Sequence, residues 1–427
     1  MRQTLRRSCA ACARAKHSCD LRTPRCSRCI KRRVPCVYAN EPLTAVAEPL
    51  TLARFSLDPF DSYPQTRLPR GHVQRLIHSF LNKIAFQYYP LDLSATSNPF
   101  LISWWPLALG DPALFHVSLQ AACLDEELLA QKGFQTSELL MADSVALLRR
   151  KVEDASLAVQ DGTMNSVITL ATIEFGKGNI EISKMHVDGV KRLVRMRGGI
   201  NAVRQTSPLT ARMVSWVSML IMGHPQFETQ DDVSIGDGIP PIPEWQVDGD
   251  PAQDLYDIDS IDVDDQVKNV LVRLRRVFER AQHTPLTSTR LHDLTCFVVH
   301  RLLSSDTQSP LTECIRHAII LNMLIIQGPT YYSHGVILDM ILTRFRVNMV
   351  NLDSTFRERD ALDVWFVSMG MVASAGTTHY RWFKGRRAQA GPRAWGNAFV
   401  GIKSVLWTEA LQSREVFRAH WEAVLEV

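Results

Sequence analysis

The sequence predicts a mostly α-helical protein in which a small cysteine-rich module, an extended linker and a large all-α body follow one another. Six cysteines lie within 28 residues near the start of the chain, and five prolines interrupt residues 40–70. Beyond residue 70, apolar residues recur at helical spacing, and alternating strand patterns are nearly absent. The predicted boundaries are therefore 1–39 for the module, 40–70 for the linker and 71–427 for the body.

Charge is distributed unevenly along the chain. Residues 1–36 contain eleven Lys or Arg and a single acid, Asp20, whereas the remainder contains 37 basic and 43 acidic residues. A strongly basic segment attached to a mildly acidic body indicates a polyanionic partner for that segment.

Membrane and secretory classes are not expected from this sequence. The first eight residues are charged rather than apolar, and the longest charge-free apolar stretch, 213–227, is too short to span a bilayer. We therefore expect a soluble intracellular protein, in which thiols stay reduced and disulfides among the six cysteines are disfavoured.

The six cysteines form a doubled pattern. Their spacing, C-x2-C-x6-C-x6-C-x2-C-x6-C, contains two identical halves. Soft thiolates favour zinc, which prefers four tetrahedral ligands, and six thiolates suffice for two ions if two sulfurs bridge them. A redox or disulfide cluster and a different zinc arrangement are the alternatives. The candidate ligands are Cys9, Cys12, Cys19, Cys26, Cys29 and Cys36.

The segment resembles the fungal Zn2Cys6 binuclear cluster of zinc-cluster transcription factors. Besides the cysteines, the matching residues are Lys16, Asp20, Pro24 and Tyr38. The resemblance implies two zinc ions per chain, bridged by the first and fourth cysteines. One ion then also takes the second and third cysteines, and the other takes the fifth and sixth.

The resemblance further implies that the module binds double-stranded DNA. In the family, a short helix enters the major groove and reads a CGG-like triplet, and here that helix is expected over about 13–18. Lys16 matches the family's principal base-contacting lysine, which meets the N7 and O6 acceptors of guanine. The chain departs from the family's basic pattern at Ala13, Ala15 and Ser18, which are neutral. Further DNA contacts are expected from Arg7, Arg14, His17, Arg28, Lys31, Arg32 and Arg33.

The linker and the start of the body bear on dimer formation. We find no sustained heptad pattern after the linker, and the amphipathic segment 73–88 is expected to be part of the core of the body. Monomeric binding to one triplet and pairing of two chains through the body both remain open.

The body contains successive helix signals. Asp111-Pro112 begins one helix, Thr136 or Ser137 can cap the next, and Gly198-Gly199 ends a third. Further helices are expected at about 265–283, 286–305, 309–327, 335–351, 356–375 and 397–426. The basic segment 381–393 is expected to be an exposed loop, and Cys123, Cys296 and Cys314 to be buried thiols.

A second resemblance covers two stretches of the body. "MHVDGVKRLVRMRGGI" (185–200) and "SWVSMLIMGHPQF" (215–227) resemble the fungal-specific transcription factor domain, the helical regulatory region paired with these zinc clusters. Together with the module, this resemblance identifies 71–427 as a regulatory domain.

An acidic segment at about 228–265 interrupts the helical pattern. Thirteen acids and no Lys or Arg lie between Arg212 and Lys268. Acidic residues interspersed with apolar ones are typical of segments that contact the transcription machinery. The apolar residues are Trp245, Leu255, Tyr256, Ile258, Ile261 and Val263. A disordered loop and a segment that folds back to mask the basic module are the alternatives.

The predicted function is that of a zinc-dependent, sequence-specific DNA-binding transcription factor in the nucleus. We expect it to regulate RNA polymerase II transcription of a metabolic gene set, such as one for secondary metabolites. The sequence contains no H-E-x-x-H, Walker A, G-x-S-x-G or dinucleotide-binding glycine motif, so an enzyme is not expected. The alternative is a helical ligand-sensing or enzymatic protein with an appended zinc module. A structured-RNA binder is disfavoured because the module offers only Tyr38 for base stacking.

Overall fold

The computed structural model of the protein describes residues 9–20, 25–36, 63–89, 91–131, 133–246, 256–305, 309–328, 334–353, 361–389, 394–409 and 413–423. Within these ranges the chain is predominantly helical and has no β-strand, which confirms the predicted fold class. An isolated bridge joins Thr229 and Ile239. The helices are α1 (Ala10–Arg14), α2 (Ser27–Arg32), α3 (Arg70–Ser79), α4 (Ala85–Tyr88), α5 (Trp105–Gly110), α6 (Pro112–Ala130), α7 (Gln135–Glu153), α8 (Ala155–Ala158), α9 (Asp161–Gly176), α10 (Ile180–Met196), α11 (Ile200–Thr206), α12 (Pro208–Met222), α13 (Asp265–His283), α14 (Ser288–Leu303), α15 (Pro310–Gln327), α16 (Gly335–Asp353), α17 (Ala361–Ala373), α18 (Tyr380–Gln389), α19 (Trp395–Val405) and α20 (Ser413–Glu422).

Two compact units make up the chain. The first contains residues 1–85 and 95–193, and the second contains residues 86–94 and 194–427. The division into module, linker and body that the sequence predicts stays a prediction. Most of the predicted linker, residues 40–62, lies outside the described residues. Residues 63–69 are non-helical and are held on the first unit by a stack of Tyr63 on Phe115 and an ion pair between Arg67 and Asp143.

Helix α6 is the centre of the first unit. All of its residues from Ala113 to Leu124 are buried, and it packs against α3, α5, α7 and α9. A helix that is buried on every side must be apolar around most of its circumference, as this sequence is apart from His116, Ser118 and Gln120. The hydroxyl of Ser118 donates to the Leu114 carbonyl (2.7 Å) and accepts from the Trp104 indole (2.9 Å), so this buried polar group is satisfied.

The start of α6 confirms one predicted cap, and the start of α7 corrects another. Asp111 Oδ1 accepts from the amides of Ala113 (3.1 Å) and Leu114 (3.3 Å), as expected for a helix N-cap. At α7, the prediction that Thr136 or Ser137 is the cap is wrong. Glu127 of the preceding helix fills that role, because its Oε1 accepts from the amides of Thr136 (2.8 Å) and Ser137 (3.3 Å).

Helix α15 is the centre of the second unit. It is buried along most of its length and packs against α13, α14, α16 and α17. Its buried Arg316 donates to the Leu302 carbonyl (2.8 Å), to the Ser305 carbonyl and to Glu313 (2.6 Å). The guanidinium therefore satisfies carbonyls at the end of α14, and the carboxylate of Glu313 balances its charge.

Two expectations about the C-terminal part of the body are wrong. The basic segment at 381–389, expected as exposed loop, lies in α18, where the Arg387 guanidinium stacks 3.8 Å from the ring centre of Trp421. The single helix expected over 397–426 is instead two helices, α19 and α20, and Leu406–Glu409 between them is not helical. The remaining predicted helices agree with the structure to within a few residues where it describes them, and α13 matches its prediction at both ends. Residues 356–360 of the helix predicted over 356–375 lie outside the described residues.

Candidate metal centre and nucleic-acid interface

The cysteine module consists of two similar halves, each built on one short helix. Cys9 is the N-cap of α1, and its sulfur accepts from the amide of Cys12 (3.4 Å). Cys26 is the N-cap of α2, and its sulfur accepts from the amide of Cys29 (3.3 Å). The second half thus repeats the first at an offset of 17 residues, as the doubled spacing predicts.

All six cysteine sulfurs converge at the centre of the module. The Sγ–Sγ distances are 3.9 Å for Cys9–Cys26, 3.5 Å for Cys9–Cys29 and 3.7 Å for Cys12–Cys26. Two groups of four sulfurs each lie within 4.8 Å of one another, and both groups contain Cys9 and Cys26. The two groups are Cys9, Cys12, Cys19, Cys26 and Cys9, Cys26, Cys29, Cys36.

The donor set fits two zinc ions. At a zinc–sulfur distance of about 2.3 Å, the sulfurs of a tetrahedral site lie about 3.8 Å apart. The observed distances of 3.5–3.9 Å match this spacing. Five of the six cysteines are buried and Cys19 is half-buried, so the sulfurs form a closed cage of soft ligands.

Electrostatics inside the cage also favour a cation. Burial raises the pKa of Cys12 to about 12, and it raises the pKa of Cys29 and Cys36 as well. Burial acts in the same sense on Cys9 and Cys26, but the hydrogen bonds that their sulfurs accept, from the amides of Cys12 and Cys29 and from neighbouring thiols, together outweigh it and lower their pKa. Six neighbouring thiolates therefore require a compensating positive charge, which divalent metal ions supply.

Asp20 connects the two halves. Both of its carboxylate oxygens lie 3.2 Å from the amide of Ser27, the first residue of α2. A carboxylate at a helix N-terminus satisfies a free amide and interacts favourably with the helix dipole. The resemblance singles out Asp20 by position, and the structure gives it this local role. The other two matching residues, Pro24 and Tyr38, lie outside the described residues.

Each short helix ends in a left-handed residue, and these two residues are cations. Lys16 has φ = 50° and Arg33 has φ = 52°, and each lies seven residues after the cysteine that caps its helix. The expected helix over about 13–18 is therefore displaced: α1 begins at Ala10 and ends at Arg14, and Lys16 lies just beyond it. Capping by the Cys9 sulfur sets this earlier start.

The predicted DNA-contacting side chains lie on the surface of the module. His17 is half-buried, and Arg7 lies outside the described residues. Within the described part of the chain, no ion pair engages the exposed members of this set, which are therefore available to a polyanion. The exposed members are Arg14, Lys16, Arg28, Lys31, Arg32 and Arg33.

The acidic segment is partly built into the second unit. Trp245, Ile258 and Val263 are all buried, and Trp245 packs edge-on against Phe297 with ring centres 5.2 Å apart. These three apolar side chains are thus occupied by the core, whereas Tyr256 and Ile261 are half-buried. Residues 247–255 lie outside the described residues.

The three cysteines outside the module are buried in the helical core, as predicted. Burial raises the pKa of Cys123 and of Cys296 to about 12, which keeps both thiols protonated and unreactive near neutral pH.

Comparison with known families assigns both parts of the chain. Residues 7–45 match the fungal Zn(2)-Cys(6) binuclear cluster domain, and residues 75–223 match the fungal specific transcription factor domain. The chain carries both domains of a fungal zinc-cluster transcription factor. This pair of domains indicates a transcription factor family rather than an enzyme. The zinc-cluster domain binds two zinc ions and implies binding to DNA, which agrees with the donor set and the exposed cations of the module.

The match to the regulatory domain covers helices of both units. It includes both stretches in which the sequence resembles this domain, 185–200 and the part of 215–227 up to Gly223. No curated protein and no solved structure matches the chain. In the part of the chain that the structure describes, no helix is long and apolar enough to cross a membrane.

Proposed function

We propose that this zinc-cluster transcription factor reads a short, guanine-containing triplet of the CGG type in the major groove, with Lys16 as the base-contacting residue. The observation that carries the proposal is the position of Lys16. Its side chain is exposed at the end of α1, and a left-handed backbone fixes its direction relative to the cage. An ammonium group held in this way can donate to guanine N7 and O6 together.

The second half of the module supplies affinity rather than sequence selection in this proposal. At the offset of 17 residues, Arg28 and Arg32 occupy the positions that the neutral Ala11 and Ala15 hold in the first half. The concentration of exposed cations around α2 supports contacts with phosphates, which attract every DNA sequence alike. Arg14 and His17, next to Lys16, are assigned to phosphates of the same site.

The proposal extends to the ligands of the two ions. Cys9 and Cys26, which belong to both groups of four sulfurs, would be shared by the two zinc ions. Cys12 and Cys19 would complete one site, and Cys29 and Cys36 would complete the other. When bound, zinc neutralises the thiolates and stabilises the fold of a module that buries little apolar surface of its own.

In-vitro selection of duplexes by the full-length, zinc-loaded protein tests the proposal. We expect enrichment of a triplet of the CGG type, lost when a chelator removes zinc. Replacing Lys16 by Ala should abolish the enrichment, whereas replacing Arg32 by Ala should weaken binding to all duplexes and reduce the salt slope by about one. Recovery of the same triplet by both variants contradicts the assignment of roles.

The biological setting follows from the class of protein. We propose that the protein acts in the nucleus on RNA polymerase II transcription of a metabolic gene set, with 1–39 as DNA-binding domain, 40–70 as linker and 71–427 as regulatory domain. Chromatin occupancy mapped in the source organism tests this, since occupancy restricted to the selected triplet upstream of such genes is expected. The number and spacing of triplets in the occupied sites distinguish binding by a monomer from binding by a dimer.

A further inference from the structure

A small cavity lies within the second unit, where three helices and one loop meet. Its volume is about 30 Å³, measured as the space open to the centre of a water-sized sphere. Since one water needs about 10–15 Å³ by this measure, the cavity holds about two water-sized groups. Helices α11, α12 and α14 and the loop Ile239–Ile242 line it.

Two arginines and one acid line this cavity. Arg212 binds Asp293 with both ends of its guanidinium, through Nε–Oδ1 (2.7 Å) and Nη2–Oδ2 (2.9 Å). That bidentate pair leaves the charge of the second arginine, Arg204, without a carboxylate of its own. The cavity therefore carries a net positive charge.

Arg204 makes no side-chain hydrogen bond or ion pair within the described residues. Its Nε is inaccessible to solvent and has no acceptor. Arg204 as a whole is half-buried, and this burial lowers the pKa of its guanidinium. The negative charge of Asp293 acts against that effect, and the positive charges of Arg290 and Arg212 add to it. A buried donor without an acceptor is costly, so a ligand that brings an acceptor and a negative charge is favoured at this position.

Most of the rest of the cavity wall is apolar, with Ile200, Ala211, Pro240 and Ile242 among the residues that form it. Ser215 and Cys296 also line the cavity, and their side chains are hydrogen-bonded to each other (Oγ–Sγ 3.4 Å). The apolar groups offer no acceptor to Arg204, but they can pack against a methyl group of a bound molecule.

The loop that forms this wall is fixed before any ligand binds. The amide of Ile200 donates to the Asp237 carbonyl (2.9 Å), and the Asn201 side chain donates to the Gly236 carbonyl (3.0 Å). The amide of Ile239 donates to the Glu228 carbonyl (2.8 Å). A wall held in this way loses little conformational entropy on binding, which favours affinity.

We propose that this cavity is a binding site for a small carboxylate of about the size of formate or acetate, which pairs with Arg204. A carboxylate matches the planar fork of a guanidinium, and its two oxygens fill a space of about two water-sized groups. A phosphate is larger and needs more donors than one free guanidinium provides. An amine is excluded by the net positive charge. The site is independent of the DNA-binding module and gives the regulatory domain a means to sense a metabolite.

Thermal unfolding of the full-length, zinc-loaded protein tests this site. The probes are formate, acetate and hexanoate, with ethanol, methylamine and inorganic phosphate as comparisons at constant ionic strength. We expect formate and acetate to raise the unfolding temperature, hexanoate to have little effect because it exceeds the cavity, and the alcohol and amine to have no such effect. A titration of the best carboxylate then gives its dissociation constant.

Variants test whether Arg204 is responsible for carboxylate binding. Arg204→Gln should weaken the dissociation constant at least tenfold, and Arg204→Lys should weaken it less, because the charge remains but the fork is lost. Arg381→Gln, which changes an exposed arginine of α18, is the matched control and should bind like the unmodified protein. Circular dichroism verifies that each variant is folded.

Three results overturn the proposal. One is the absence of any carboxylate-specific stabilisation, which leaves a cavity filled by water. Another is equal stabilisation by phosphate or by hexanoate, which indicates general anion binding. The third is unchanged carboxylate affinity in a folded Arg204→Gln protein, or an equal loss of affinity in Arg381→Gln.

Discussion

Two substitutions at Lys16 separate the base contact of its ammonium group from the steric cost of its left-handed backbone. Lys16→Ala removes the ammonium group but keeps a Cβ at φ = 50°. Lys16→Gly removes the ammonium group and also the steric cost of a side chain in this conformation. Both variants should therefore lose base reading equally, whereas only the glycine variant should change the stability of the folded module.

The expected magnitudes come from the free energy of the lost base contact and from that of the backbone strain. Loss of a lysine contact to guanine costs about 1–3 kcal/mol of discrimination, which is about a 5- to 150-fold loss in selectivity. A Cβ on a left-handed residue costs about 1–2 kcal/mol of stability, and Lys16→Gly removes this cost. The greater flexibility of glycine in the unfolded chain offsets about 0.4–1 kcal/mol of that gain. The remainder is about 0.5–1 kcal/mol. Because metal binding and folding of the module are coupled, it should appear as about 2- to 5-fold tighter zinc binding.

Two assays on the same full-length protein measure these effects. Competition between a selected and a scrambled duplex gives the selectivity, and titration with a zinc chelator gives the zinc affinity. The matched control is Arg33→Gly, since Arg33 has the same backbone conformation at φ = 52°. It should tighten zinc binding to the same extent but lower affinity for both duplexes alike. The reasoning is refuted if Lys16→Ala retains full selectivity, or if Arg33→Gly loses as much selectivity as Lys16→Gly.

Three further predictions concern the cage and the body. Cys9→Ser should lose both zinc ions, whereas Cys12→Ser should retain one, and the zinc-to-protein ratio measured by mass spectrometry distinguishes these outcomes; equal ratios argue against a bridging role for Cys9. Glu127→Ala should lower the free energy of unfolding by about 1–2 kcal/mol because it leaves two amides of α7 uncapped, and Glu127→Gln, which keeps one acceptor, should cost less in denaturant titrations. Arg387→Ala should cost about 2 kcal/mol or more through the lost stacking on Trp421, and a change below 0.5 kcal/mol contradicts that account.

Local signals allowed much of the body to be predicted from sequence. Asp111 followed by Pro112 fixes the start of α6, since an aspartate caps the helix and proline suits its first position. Gly198 and Gly199, with φ of 96° and 94°, end α10 because this backbone conformation is strained for other residues. Such signals depend only on neighbours in the chain, so the sequence contains them.

Contacts between distant residues account for the predictions that were wrong. The cap of α7 comes from Glu127 on another helix, and no pattern around residue 135 indicates it. The basic segment in α18 looks like a surface loop because its arginines suggest exposure to solvent. Arg387 is buried there, and Trp421, 34 residues later, provides an aromatic face for it.

The position of the short recognition helix was missed for a different reason. Helix-capping rules favour Ser, Thr, Asp and Asn, and they do not include cysteine. In this module the Cys9 and Cys26 sulfurs accept the amide hydrogen bonds that those side chains usually accept. The spacing C-x2-C thus sets both the metal site and the start of the helix, since the second cysteine is the third residue of the helix that the first one caps.

The two halves of the module have the same backbone arrangement but different side chains. Both halves place a cysteine cap, a helix and a left-handed cation in the same order, so the cage alone does not determine which half reads DNA. The side chains around the two cations differ. Lys16 lies among the neutral Ala13, Ala15 and Ser18, whereas Arg33 follows Lys31 and Arg32 directly. A single cation among small neutral side chains can approach a base edge closely, and a dense group of cations binds phosphates of any sequence. In the proposed function, the neutral positions therefore leave base reading to Lys16, and the second half supplies the affinity that those positions lack.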